Sequence, residues 1–424
     1  KDTSMVKDVA DCLQDKFPSV VNGAITALAL LGDEGKAYAP DVAKKLTDSS
    51  RDVKTSAVMY FSKFDELAVK YSDPIIDLLK DDDATVRQSV LSLFSSLKDK
   101  AGPLLAGTSK LLSSTETGVK AAAAMCIGAV GPEASSQAAA LAPLLSDSAE
   151  DNSQLVMCVA GIEMKVPAGL RIPSCAAASA LASITDSSYA ADIAAMLDSD
   201  SMDVKVEAAT ALGKIGGPYA QAILPLLEDA RAPVKAAACA ALGSLAAGGA
   251  PDGDVADQLA GLMDDASPLV RQAVVEALSK MGEEGARYSD AFKETIDMDR
   301  SLVVKAAAIK GMGMIGVKGQ CYASDVCRCI YDEEAVIRIV ALQTLAEMGE
   351  RGASFADEVA ELLWDNEVEI RVVAVESMGK MGDAALPYLE NIQACKDDPM
   401  PAVRDAAQCA VERLSGGGGR PALE

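Results

Sequence analysis

Val20, Val53, Val86 and Val119 stand 33 residues apart, and Val304, Ile337, Ile370 and Val403 keep the same interval further along the chain. Pro173, Val204, Val234 and Val270 continue the series between them. The surroundings of each anchor recur as well. In the stretch 365–382, DNEVEIRVVAVESMGKMG, Asp365 leads and Ile370 and Arg371 follow, while Ala374, Ser377, Met378 and Met381 lie four, seven, eight and eleven residues past Ile370. Those offsets mark one face of an α-helix. The Gly that closes the stretch, Gly382, suits the left-handed conformation in which helices commonly end.

A second amphipathic pattern precedes each anchor helix. Phe355, Val359, Leu362 and Leu363 recur as Tyr322, Val326, Cys329 and Ile330, as Tyr219, Ile223, Leu226 and Leu227, and as Tyr38, Val42, Lys45 and Leu46. Each unit therefore reads as helix, short turn, helix. Neither helix can bury its apolar stripe alone, so the units must stack on one another. Half of the residues are hydrophobic but only 4% are aromatic, so the core has to come from Ala, Leu, Val and Met, which favours closely packed helices. The aromatic residue heading the first helix, as in Tyr38, Tyr71, Tyr189, Tyr219, Tyr288, Tyr322 and Tyr388, is expected to wedge between helices, because it follows the packing period.

Charge and composition exclude several functions. A formal charge of -24, from 63 acidic against 39 basic residues, opposes nucleic acid and membrane insertion and favours a basic protein partner. The chain contains no His, which removes the commonest general base and metal ligand. Its 10 Cys include no CxxC pair and fall largely at helical core positions, which indicates a reducing compartment. No phosphate-binding GxxxxGK[ST] is present, and no apolar run is long enough to span a bilayer. No catalytic residue, metal ligand or cofactor is expected.

An Asp in the turn, Val-Arg or Val-Lys opening an Ala- and Leu-rich second helix, and a closing Gly together resemble the HEAT-repeat family over nearly the whole chain. The short unit with its A-x-x-A-L-x-x-[IM]-G core is most similar to the compact HEAT-like repeats also found in phycobilisome lyases. The resemblance implies an all-α fold, a right-handed α-solenoid of about twelve two-helix repeats. It also implies a ladder between repeats, in which Asp48, Asp81, Asp265, Asp332, Asp365 and Asp398 bond turn amides and the basic groups of adjacent repeats, drawn from Lys54, Arg87, Arg271, Arg338, Arg371 and Arg404. In such solenoids the second helices line the concave side, so their non-core positions are expected to face a partner. Those positions are Ala121, Ala124 and Met125 in the fourth repeat, Ala236 and Ala240 in the seventh, and Val372, Val375 and Glu376 in the eleventh.

The expected function is a noncatalytic scaffold or adaptor within a larger assembly. It would bind a protein partner that is basic or presents an apolar helix or extended segment. The alternative is a bilin-lyase-like or chaperone-like factor acting on a cofactor-binding protein, which rests on repeat type alone. An intracellular, cytoplasmic setting is expected, with an organelle entered after transit-peptide removal as the other option. The chain does not begin with Met, which leaves room for an upstream segment.

One place breaks the period. Residues 146–174 either add an insertion to the fifth repeat or mark a drifted repeat that bends the stack, with two candidates for its second helix, Leu155 to Met164 and Cys175 to Ile184, separated by KVPAGLRIPS. Pro167, Gly169 and Pro173 interrupt any helix there. The whole is read as one solenoid over 1–414, followed by a flexible Gly-rich tail over 415–424.

Overall fold

The computed structural model describes residues 3–152, 156–159, 162–249 and 253–415. They form two compact units, Lys1–Gly217 and Pro218–Glu424. The fold class is an α-solenoid of about twelve two-helix repeats. In the first unit the second helices are α1 (Pro18–Leu30), α2 (Arg51–Phe61), α3 (Ala84–Leu97), α4 (Thr117–Val130), α5 (Pro173–Ser183) and α6 (Met202–Ile215). In the second they are α7 (Ala232–Ala247), α8 (Pro268–Lys280), α9 (Leu302–Met314), α10 (Ala335–Glu347), α11 (Val368–Lys380) and α12 (Pro401–Ser415). Within each unit every second helix packs on that of the next repeat.

The local chemistry of the repeat sets these boundaries. Pro18, Pro268 and Pro401 open their helices, where the missing N–H costs nothing. The first helices are shorter and tighten into a 3-10 turn before the repeat's Asp, as in Ala356–Glu361 running into Leu362–Trp364. Their apolar residues Val359 and Leu363 are buried with Ile370, Ala374 and Met378 of α11. Each such Leu or Ile contributes roughly 1.5–3 kcal/mol once it is covered, which stacking achieves and a lone repeat cannot.

Two glycines make the return from second helix to first. Gly282 has φ 58°, and three residues later a Cβ on Gly285 would lie 1.8 Å from the carbonyl oxygen of Leu278. The first permits the turn; the second lets the next chain segment lie against the helix end. Lys98 (φ 49°) and Thr185 (φ 57°) also hold positive φ where their second helices end, without the freedom of Gly.

The insertion differs from expectation. The described residues of the first candidate helix, 156–159 and 162–164, are strand rather than helix. Val156–Val159 (β1) and Ile162–Lys165 (β2) pair as an antiparallel hairpin, in the register Val156↔Lys165 to Val159↔Ile162. The β-branched Val156, Val159 and Ile162 suit strands, and the α5 segment takes the role of the second helix. At the C-terminus α12 runs through Ser415, and the remaining tail, 416–424, lies outside the described residues.

Candidate interaction surface

The turn between first and second helix is built the same way in most repeats. The Asp side chain accepts a hydrogen bond from the amide two residues later: Asp48 from Ser50 at 2.9 Å, Asp81 from Asp83 at 3.0 Å, Asp265 from Ser267 at 2.8 Å, and Asp398 from Met400 at 2.8 Å. Asp332 and Asp365 do the same with Glu334 at 2.9 Å and Glu367 at 2.8 Å. Such a carboxylate fixes the turn and satisfies an amide near the helix start.

The basic residue at the start of the second helix reaches forward to the following repeat. Lys54 Nζ donates to Asp81 Oδ2 at 2.5 Å, and Lys120 and Lys235 pair with Asp147 and Asp265 in the same sense. Arg does more than Lys at this position. Arg371 grips Asp398 with Nε and Nη2 at 2.8 and 3.1 Å, while Nη1 donates at 2.8 Å to the carbonyl of Asp365 in its own turn. Arg271 makes the same arrangement with Asp299 and the carbonyl of Asp265. Arg338 departs from it by bonding Glu367 at 2.8 Å, and Arg404 bonds the carbonyls of Asp398 and Pro399 in its own turn. Hydrogen bonds from Arg271 and Arg371 hold Asp299 and Asp398 below the ordinary carboxylate range.

Half-buried tyrosines add a second tie in the same unit. Tyr322 Oη donates to Asp290 Oδ1 at 2.5 Å, and Tyr288 likewise donates to Asp257, each bond joining neighbouring first helices. The packing period marks these tyrosines but gives no sign of the acceptors.

The fourth repeat, like the sixth with Ser199, has Ser114 where the others have Asp, and the insertion supplies a carboxylate for Arg87. Arg87, buried at 3% exposure, donates from Nη2 to Asp151 Oδ2 at 3.3 Å and from Nη1 to the carbonyls of Asp81 and Asp82. Gly118 at the start of α4 makes room: a Cβ there would lie 2.3 Å from Asp151 Oδ2. Arg171, also buried, ties the insertion onward by pairing with Glu150 and by donating to Asp203 at 3.1 Å and to the carbonyl of Val166 at 3.0 Å. The hairpin is fastened by Cys158 N, which donates to Thr85 Oγ1 at 3.2 Å. Sequence reasoning missed Glu150, Asp151, Arg171 and Asp203. The gap at Ser114 beside an unexplained Arg in KVPAGLRIPS is the signal that could have found them.

The expected partner-facing positions are only partly free. Ala121 and Ala124 are fully buried, as is Val375, and Ala236 is 8% exposed. The expectation divided each second helix into a core side and an open side. In a stack, the second helices of the neighbouring repeats cover two further sides. The approach is close: a Cβ on Gly128 would lie 2.6 Å from Ala180 Cα, and one on Gly243 equally near Ala277 Cα. Met125 is half-buried beneath Gly169 of the insertion, while Val372 is half-exposed and Ala240 and Glu376 are exposed. What remains open is a narrower row. In the second unit it carries Leu269, Val303 and Val336 at 48%, 58% and 56% exposure, each the second residue of its helix or nearly so.

Buried thiols occur in both units. Burial pushes Cys175 and Cys239 up to about 12, so neither is a ready thiolate. Among the described residues no three His, Cys, Asp or Glu side chains are grouped to hold a metal, and no helix is long and apolar enough to cross a membrane.

Comparison with known proteins places this architecture. Residues 220–313 match the family described as HEAT repeats, and residues 204–229 match the PBS lyase HEAT-like repeat. No curated protein matches the chain. Among solved structures, a Kap95:Nup1 complex is similar over 97% of this chain and 62% of that one, at 11% identity and TM-score 0.69. Yeast importin-beta (Kap95p) is similar over 96% and 66%, at 13% identity and TM-score 0.62. Kap121p is similar over 97% and 53%, at 13% identity and TM-score 0.53. The chain thus spans between about half and two thirds of the length of these structures, and at such identities the likeness is one of fold. Residues 204–313 thus carry HEAT repeats, and the same residue skeleton recurs on either side of them.

Proposed function

We propose that this protein is a noncatalytic scaffold that binds a protein partner on the open row of its second helices. The observation that carries this reading is the run of exposed apolar side chains at equivalent places in consecutive repeats, Leu269 of α8, Val303 of α9 and Val336 of α10. An apolar row repeated at the stacking interval offers an elongated partner a continuous strip, whereas isolated exposed residues would fall at unrelated positions. Exposed Glu333 and Glu334 precede Val336, and exposed Glu369 holds the equivalent place in α11, which suits a basic partner and its recruitment from a distance. Protein binding is also what the name of the Kap95:Nup1 complex states of that similar structure.

The test is photocrosslinking from a benzoylphenylalanine placed at position 303 or, for comparison, at exposed position 294 on a first helix. The reading expects one defined protein adduct from position 303 and none from position 294. Adducts of equal yield from both would remove the row from the account. The lyase-like alternative is supported by the match over 204–229, which describes a repeat type. It predicts a shift in the absorption of added bilin.

A further inference from the structure

The hairpin of the fifth repeat has one strand tied down and one strand open. On β1, Cys158 N is bonded to Thr85 and Met157 is only 4% exposed. On β2 all four residues are exposed, with Ile162 at 67% and Met164 at 46%. Among the described residues β2 pairs with β1 alone. A strand with one neighbour presents a row of unpaired backbone N–H and C=O groups on its outer side.

The register defines what would fit. Ile162 and Met164 share the face of Met157, and Glu163 and Lys165 share the other. Just before β1 in sequence, Glu150, Asp151 and Asn152 line a cavity of about 270 Å³ together with Asp82, Glu116 and Arg87; its four carboxylates outnumber the guanidinium of Arg87 and that of Arg171, which pairs with Glu150 from outside it. Arg87 is itself buried, with both terminal nitrogens bonded. The cavity therefore favours an incoming cation over an anion.

We propose that β2 is a docking edge for an extended, basic segment of a partner protein. The segment adds as a third strand, sets apolar side chains opposite Ile162 and Met164, and directs lysine or arginine side chains toward Glu163 and the carboxylate cavity. A helical ligand would leave the open backbone edge unpaired. A second copy of this chain would bring another charge of -24 to the contact. The site belongs to the first unit and is separate from the row of Leu269, Val303 and Val336.

The test uses the full chain and a fluorescent peptide of alternating Lys and Val, nine residues long, followed by anisotropy. Saturable binding is expected. It should weaken at least about tenfold when alternate peptide amides are N-methylated, which removes backbone donors without altering charge. A peptide of alternating Glu and Val should bind at least about tenfold more weakly than the Lys peptide. Ile162→Lys with Met164→Lys should reduce binding, and Val303→Lys with Val336→Lys should leave it unchanged. The proposal is overturned by an absence of saturable binding, or by equal binding of the N-methylated or acidic peptide. Loss of binding in the Val303→Lys, Val336→Lys variant would move the peptide to the other surface and overturn it too. So would sedimentation showing that the chain self-associates through Ile162 and Met164.

Discussion

Arg271 and Asp299, in successive repeats, form a two-pronged ion pair, with Nε to Oδ2 at 2.7 Å and Nη2 to Oδ1 at 2.9 Å, while the third nitrogen of Arg271 holds the carbonyl of Asp265 at 2.8 Å. One side chain thus fastens its own turn and the turn of its neighbour. The planar fork of Arg allows this; an ammonium group offers one point of charge. Arg271→Lys should lower stability by about 1–2 kcal/mol, read as a shift in the urea midpoint. An unchanged midpoint would mean that the pair contributes nothing beyond charge.

The same pairs predict the acid response. Asp299 and Asp398 lie below the ordinary carboxylate value because Arg271 and Arg371 donate to them. A carboxylate held down in the folded chain contributes its full stability above its unfolded value of about 4. That contribution disappears as pH falls through the lower folded value. Urea unfolding of the full chain should therefore lose stability below about pH 4, and Asp299→Asn with Asp398→Asn should flatten that acid limb.

Lys98 occupies φ 49°, ψ -124° at the end of α3, close to the φ 58°, ψ -125° of Gly282 at the end of α8. A side chain in that region is strained, and Gly is not. Lys98→Gly should raise stability by about 1 kcal/mol in spite of the entropy that Gly adds to the unfolded chain. Gly282→Ala should lower it by about 1–2 kcal/mol. Thermal melts of the two variants, moving in opposite directions, check the assignment.

One substitution should have opposite effects at two helical glycines. A Cβ at Gly128 would meet Ala180 Cα at 2.6 Å, whereas Gly23 has nothing within 4 Å. Gly128→Ala must push α4 from α5 and should cost about 1–3 kcal/mol. Gly23→Ala, at an exposed position of α1, should gain about 0.5–1 kcal/mol. Equal effects would contradict the close approach of α4 and α5.

The stack itself was legible because the residues that build it recur. Asp before the turn, an apolar anchor followed by Lys or Arg, and Gly at the close place both helices of most repeats without any knowledge of contacts. Three features were not legible, each for a physical reason. The segment 155–164 carries no periodicity strong enough to separate a short strand from a helix, and the strand form of β1 depends on its meeting the remote α3, where Thr85 accepts from Cys158 N. Asp151 replaces the carboxylate missing at Ser114 through a contact across 64 residues. The expected surface was too broad because periodicity separates core from non-core residues but cannot tell a side facing solvent from one facing the next repeat. That is why Ala121, Ala124, Ala236 and Val375 proved buried while Glu376 stayed open.

The most direct test of the central claim is the dissociation constant of the partner crosslinked from position 303, measured on the wild-type chain and on Val303→Lys with Val336→Lys. Both residues are more than half exposed, so the substitutions should leave the melting temperature within about 2 °C. The account predicts that affinity falls by about 100-fold, because two lysines would replace the apolar row that meets the partner. An unchanged dissociation constant with an unchanged melt would contradict it.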